Sequence, residues 1–283
     1  MKSKIFLITA ILLLSSCGTN KTSTSQNASS TSAIPIKYKS LDVITFQPFY
    51  SESSKIPSSD KLPLPEGINS YGDLIPAAAQ NVANISANIQ YLETKSTKNI
   101  SLRHEDFANL GKNQIIIFEG HGSCVWMDNE ARSVIWTGND YDESKKDTDY
   151  DYIENLLINA DYHEAITSFY VEEYCGDLTG SIIYLDNCFS GRDSTLAKAF
   201  LDKGAAAVIG HTNTTQQTYG DTMVYETLLN LTKMNQNTQT TNTIYEALTL
   251  AKQKYGKDDS VPYPYSLKSE PLLYGNPNWK ITQ

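Results

Sequence analysis

Basic side chains are the scarcer charge in this sequence: 23 lysines and arginines stand against 32 aspartates and glutamates, for a formal charge of −9. A surface for nucleic acid or anionic lipid needs an excess of positive charge, so neither is expected as the main partner. Cysteine is scarce too, with four in 283 residues, which excludes a disulfide-built miniprotein. Long apolar runs are missing: residues 5–14 are strongly apolar, but ten residues make only about 15 Å of helix, half a hydrocarbon core. No Gly-x-Ser-x-Gly elbow and no glycine-rich phosphate loop ending in Lys-Ser/Thr is present, which removes the serine-hydrolase and P-loop readings. Apolar side chains, at 40% of the chain, supply the core of one globular domain.

The amino-terminal residues read as an address. Lys2 and Lys4, the apolar residues 5–14 and the small Ser15-Ser16-Cys17 form the three regions of a secretory signal peptide. Leu14-Ser15-Ser16-Cys17-Gly18 resembles a bacterial lipobox. The resemblance implies removal of residues 1–16, lipidation of Cys17 and, with glycine rather than aspartate at 18, a lipid-anchored place in the cell envelope, on the outer membrane. An ordinary cleavable signal with an incidental cysteine is the plainer alternative. Residues 17–33 are almost wholly Ser, Thr, Asn, Gln and Lys and read as a flexible tether before a folded domain at 34–283.

Within that domain, Ile115-Ile116-Ile117-Phe118, Ile182-Ile183-Tyr184-Leu185 and Ala205-Ala206-Ala207-Val208-Ile209 are continuous apolar runs without alternation. Such runs fit strands covered on both faces, as in a parallel sheet. A first strand is expected over 41–46, and one more near 271–274. Apolar spacings of three or four predict helices over 73–92, 194–203 and 221–231, with a polar loop at 235–242. Thr243 and Glu246 form a capping box for another helix, ended by Gly256. The alternation predicts an α/β fold, a three-layer α/β/α sandwich with a mainly parallel central sheet.

Active sites of open parallel sheets gather beyond the carboxyl ends of the strands. Glu119-Gly120-His121-Gly122-Ser123 follows the first long run and Asp186-Asn187-Cys188-Phe189-Ser190-Gly191 the second. On neighbouring strands, His121 can help deprotonate the Cys188 thiol and protonate a leaving amine. Backbone N–H groups bared by glycine beside the thiol can hold an oxyanion. Glu119 shares parity with His121 and either orients its ring or points into the opposite layer.

A histidine-glycine pair after one apolar strand and a cysteine ending the next resembles the caspase-like cysteine peptidases, which include gingipains, clostripain, legumain and caspases. Gingipains are nearest in pattern, from about residue 110 to the C-terminus, including Trp126 after the histidine motif and Tyr274-Gly275-Asn276-Pro277 near the end, where Asn276 stands for an acid. The resemblance implies a cysteine endopeptidase with Cys188 as nucleophile, His121 as partner and the N–H groups of Gly122 and Cys188 at the oxyanion. It implies a protein or peptide substrate and no required cofactor. Tyr219 falls where those peptidases place an aromatic wall of the specificity pocket, unless it is an ordinary surface tyrosine; His211 either borders the cleft or is structural. A domain of this fold without turnover, serving as a membrane-anchored binding module, is the alternative.

The span from His121 to Cys188 is longer than that pattern leads one to expect, and the excess, about 139–177, is expected to be an insertion able to cover the cleft. Asp147, Asp149 and Asp151 alternate as calcium ligands do, but the glycine of an EF-hand loop is missing. A solvated acidic insertion, or a field drawing basic substrates and suiting cleavage after Lys or Arg, are the other readings. Zinc on His121, Cys124, Cys175 and Cys188 would lack paired Cys-x-x-Cys knuckles. With Cys17 lipidated, an odd number of thiols remains. A Cys124–Cys175 disulfide leaving Cys188 reduced is the economical expectation.

Overall fold

The computed structural model describes residues 41–49, 62–84, 97–98, 101–235, 240–259 and 268–281. All lie in one of the chain's two compact units, Ile36–Gln283. The signal peptide, Cys17 and the tether fall outside the described residues. The strands are β1 (Asp42–Gln47), β2 (Thr97–Lys98), β3 (Gln114–Glu119), β4 (Gly122–Met127), β5 (Glu130–Asp140), β6 (Leu157–Ala160), β7 (His163–Ile166), β8 (Ile182–Asp186), β9 (Ala207–His211), β10 (Met234–Asn235), β11 (Thr240–Thr241) and β12 (Pro271–Gly275).

The apolar runs become the middle of a six-stranded sheet in the order β12-β9-β8-β3-β1-β2. All its pairings are parallel except β12 with β9. Because alternate side chains of a strand face opposite ways, Ile115, Ile117, Ile182 and Tyr184 enter one layer with the helices Leu74–Asn84, Gln217–Leu231 and Ile244–Tyr255. Ile116, Phe118, Ile183 and Leu185 enter the other, with His104–Ala108, Ser168–Tyr174 and Thr195–Asp202. This is the expected three-layer α/β/α arrangement. The capping box is present: Glu246 N–H donates to Thr243 Oγ1 (3.1 Å) and Thr243 N–H to Glu246 Oε2 (2.8 Å).

Several boundaries differ from expectation. The helix expected from 221 begins at Gln217, because its first turn is polar yet buried. The helix expected over 73–92 is described only as far as Asn84. The loop at 235–242 carries the short pair β10–β11. The segment 139–177 carries more structure than its acidic composition suggested. Together with β4 and β5 it builds a second, antiparallel sheet, β4-β5-β7-β6, and its helix Ser168–Tyr174 places Tyr170 and Val171 in the core. Its acidic residues 142–148 are exposed, as the solvated reading expects, while β6, β7 and the helix are part of the architecture.

Phe118 shows how the second layer is tied to the sheet: its ring centroid lies 5.0 Å from Phe46, 5.3 Å from Phe107 and 5.9 Å from Phe200. Removing it leaves a cavity shared by four elements, and Phe118→Ala is expected to cost about 3–5 kcal/mol. The check is urea unfolding, with a lowered midpoint and an unchanged slope.

Candidate active site

The register of β3 and β8 pairs Glu119 with Asp186, and Gly120 N–H extends the ladder to Asp186 O at 3.2 Å. His121 and Cys188 each follow two residues later, so the two loops leave the sheet side by side. Gly120 has φ +149°, and a Cβ on it would stand 3.0 Å from the Phe49 ring. A side chain is therefore excluded both by conformation and by space. Gly122 lies closer still: a Cβ there would be 2.7 Å from Cys188 O and 2.9 Å from Val134 O. Asn187 Nδ2 donates to His121 O at 3.3 Å. The structure thus brings the backbones of the two sequence-identified loops into contact.

Cys188 is partly exposed. Its thiol donates to Thr215 O (3.5 Å), and Thr215 N–H points at Sγ (3.3 Å). That loop is held in turn by Ser269, whose Oγ lies 2.6 Å from Thr215 Oγ1, and by Asp259, which accepts from Gln216 N–H at 2.7 Å. Burial pushes the Cys188 thiol pKa up, with the charges of Asp186 and Asp259 adding to it and the Thr215 N–H opposing it. Phe189, next in the chain, has φ +60°, a conformation costing a non-glycine residue about 1–2 kcal/mol. Ser190, fully buried, hydrogen-bonds Leu185 O and accepts from His211 N–H at 3.0 Å. A Cβ on Gly191 would fall 2.4 Å from Gly210 O. Ser190-Gly191 therefore stitches the cysteine loop to β9, and Tyr274 OH of β12 adds a bond to Gly191 O at 2.8 Å.

The half-buried His121 ring packs among aromatics. Phe49 meets it edge-on at 4.6 Å and Trp136 lies 5.2 Å away. Trp136 stacks at 4.1 Å on His163, which is thus a packing partner near the site, and donates from Nε1 to Ser123 Oγ (3.4 Å). Sequence reasoning missed Phe49 and Trp136, whose meeting with His121 is a tertiary event with no local signal. Of the two readings for Glu119, the inward one matches: its carboxylate runs with Ile115 and Ile117 into the other layer, where Gln217 Nε2 donates to it at 2.6 Å.

That inward face carries a row of polar groups at the carboxyl ends of three neighbouring strands, Glu119, Asp186 and His211, all buried. His211 Nε2 lies 3.0 Å from Asp186 Oδ1. The helix Gln217–Leu231 closes over them, and a Cβ on Gly220 would come within 2.2 Å of Asp186 Oδ1. Of the two readings for His211 the structural one matches, and both readings of Tyr219 are corrected. His211 is 0% exposed and does not border a cleft, because its parity aims it into the core. Tyr219 is 3% exposed, its OH donating to Gly256 O at 3.1 Å, so it is neither a pocket wall nor a surface tyrosine.

The Cys124–Cys175 disulfide is not formed, and both are free thiols. Cys175 caps a helix beside Leu178, whose N–H bonds Lys203 O ahead of β9. It therefore sits at the amino edge of the main sheet while Cys124 extends from the carboxyl edge, and the five-residue strands between span about 16 Å. Burial pushes the Cys175 thiol up to about 12. The calcium triplet does not converge either. Asp149 Oδ1 accepts Asp151 N–H at 3.0 Å, Asp151 accepts from Tyr174 OH, and among the described residues no three His, Cys, Asp or Glu side chains form a metal-holding group.

Fold and site define an α/β protein with a thiol and an imidazole on adjacent loops at one end of a parallel sheet. No protein-family model and no curated protein matches the chain. Among solved structures, it is similar to the Arg-specific cysteine proteinase gingipain R, at 11% identity and a TM-score of 0.44 over 85% of this chain and 47% of that one. The chain thus spans about half the length of that protein.

Asp221, on the covering helix, is 1% exposed, and its pKa is raised well above the usual carboxylate range, first by burial and then by Glu119 and Asp186. The folded state therefore holds a proton that the unfolded chain releases above pH ~4, so this group makes stability fall as pH rises from there. Asp221→Asn removes that slope. The variant is expected to gain thermal stability relative to the parent between pH 4 and pH 8, read as the difference in Tm at several pH values; a constant or shrinking difference contradicts it.

Proposed function

We propose that the chain is a caspase-like cysteine peptidase with Cys188 as nucleophile and His121 as its acid–base partner. One observation carries this reading: the Glu119–Asp186 register that sets the histidine and cysteine loops in backbone contact. Cys188 Sγ bonds to the carbonyl carbon of the scissile amide as its proton passes to His121. The imidazolium protonates the departing amine, leaving a thioester, and water deprotonated by His121 releases the acid. Because burial and the nearby carboxylates favour the thiol over the thiolate, the proton leaves as attack begins rather than beforehand.

Trp136 N–H donates to His121 O, so that pair is hydrogen-bonded and the next one, Gly122 with Ile135, is not. The Gly122 N–H consequently points away from β5 and, with the amide of Cys188, serves the oxyanion. The negative field of Asp186 and Asp259 at the thiol favours Lys or Arg on the acyl side of the cleaved bond. The lipobox-like motif supports export and anchoring of the enzyme through lipid on Cys17, on the outer membrane.

Cys188→Ala is expected to abolish hydrolysis of lysyl and arginyl peptide amides, and His121→Ala to lower kcat by about 100-fold or more. Undiminished hydrolysis by Cys188→Ala refutes the assignment. For the anchor, Cys17→Ser expressed in a bacterial host is expected to lose palmitate labelling and leave the membrane fraction; retained label contradicts it.

A further inference from the structure

Among the described residues β4 is an edge strand, beginning at the candidate site and paired in its sheet with β5 alone. The hairpin turns through Asp128 and Asn129, at φ +51° and +64°, and pairs Met127 with Glu130, Val125 with Arg132 and Ser123 with Val134. A two-residue turn of this kind closes on a hydrogen-bonded pair, which agrees with the Trp136–His121 bond at the other end. The alternation of an antiparallel ladder then turns the N–H and C=O groups of Gly122, Cys124 and Trp126 outward. Among the described residues none bonds to them.

Exposed edges are ordinarily blunted by lysine, proline or a bulge. Gly-Ser-Cys-Val-Trp-Met of β4 has none of these, and its ladder with β5 is unbroken. Trp126, on the same face of the strand as Gly122, is 75% exposed. The row is continuous with the thiol, since the vacant Cβ position of Gly122 lies 2.7 Å from Cys188 O.

We infer that β4 is the docking edge for the substrate polypeptide, which adds to it as an extended strand hydrogen-bonded to Gly122, Cys124 and Trp126. This deepens the peptidase reading and rests on it for the identity of the occupant. Backbone pairing supplies affinity without regard to side chains, so the enzyme selects unfolded or extended segments of several residues over short amides. Trp126 offers an apolar surface to the segment's far end.

Amide hydrogen exchange tests this on full-length Cys188→Ala, which leaves the peptide intact, with a seven-residue peptide centred on lysine. At saturating peptide, exchange at Cys124 and Trp126 is expected to slow at least ~10-fold. Unchanged rates with peptide present overturn the inference, as does slowing that follows protein concentration without peptide, which marks pairing of two copies. A second arm uses Cys124→Pro, which deletes one outward N–H at a position where an edge strand tolerates proline. The ratio of kcat/KM for the peptide over a one-residue lysyl amide is expected to fall about 10-fold, the loss of one hydrogen bond, while Cys124→Ala keeps the ratio. Wild-type hydrolysis of the lysyl amide reports separately on the peptidase reading; if it fails, the exchange result still decides whether peptide occupies β4.

Discussion

The parallel pairing of β3 with β8, from Ile115–Ile182 to Glu119–Asp186, is the contact on which the placement of thiol and imidazole depends. Backbone hydrogen bonds fix that register, and burial on both faces prevents slippage, since a shift of one residue would send Ile117 and Tyr184 into the wrong layers. Once the strands end together, the loops have little freedom. Gly120 must take a positive φ and Gly122 must press against Cys188 O, so the histidine turn is shaped by what it cannot accommodate. The cysteine turn is held from its other side by Ser190, Gly191 and the Thr215 loop.

The same strand ends carry a buried polar row on the face away from the His121 aromatics. Glu119, Asp186 and Asp221 crowd beneath the helix Gln217–Leu231 with His211 beside them. Such a concentration of carboxyls in a core is costly unless some are neutral or bonded. Gln217 donates to Glu119, His211 Nε2 lies 3.0 Å from Asp186 Oδ1, and burial beside the two other carboxyls raises the Asp221 pKa and so favours its neutral form. Asp186 belongs to this row and also helps raise the pKa of the thiol two residues on, so charge in the core reaches Cys188.

What was legible in the sequence was whatever local pattern dictates. Three runs such as Ile115 to Phe118 become central strands because only two-sided burial tolerates uninterrupted apolar side chains. The Thr243–Glu246 box is a local bond and so could be read locally. The loop positions of His121 and Cys188 followed from the strand ends. The sequence left open whether His211 is buried, since only the covering helix closes it off, and it did not show that Tyr219 faces inward from that same helix. The second sheet escaped notice since β6 and β7 have four residues each and owe their stability to β5. The Asp128-Asn129 turn went unread, because its meaning depends on what the hairpin adjoins. No spacing rule brings Phe49 and Trp136 onto His121.

The bond from Tyr274 OH to Gly191 O, together with the pairing of β12 on β9, means that the cysteine turn is finished by residues more than eighty positions downstream of it. A ribosome delivers Cys188 long before it delivers this clasp. The nascent chain therefore passes through a stage in which the thiol exists but its seat does not, a built-in delay between synthesis of the cysteine and completion of its surroundings.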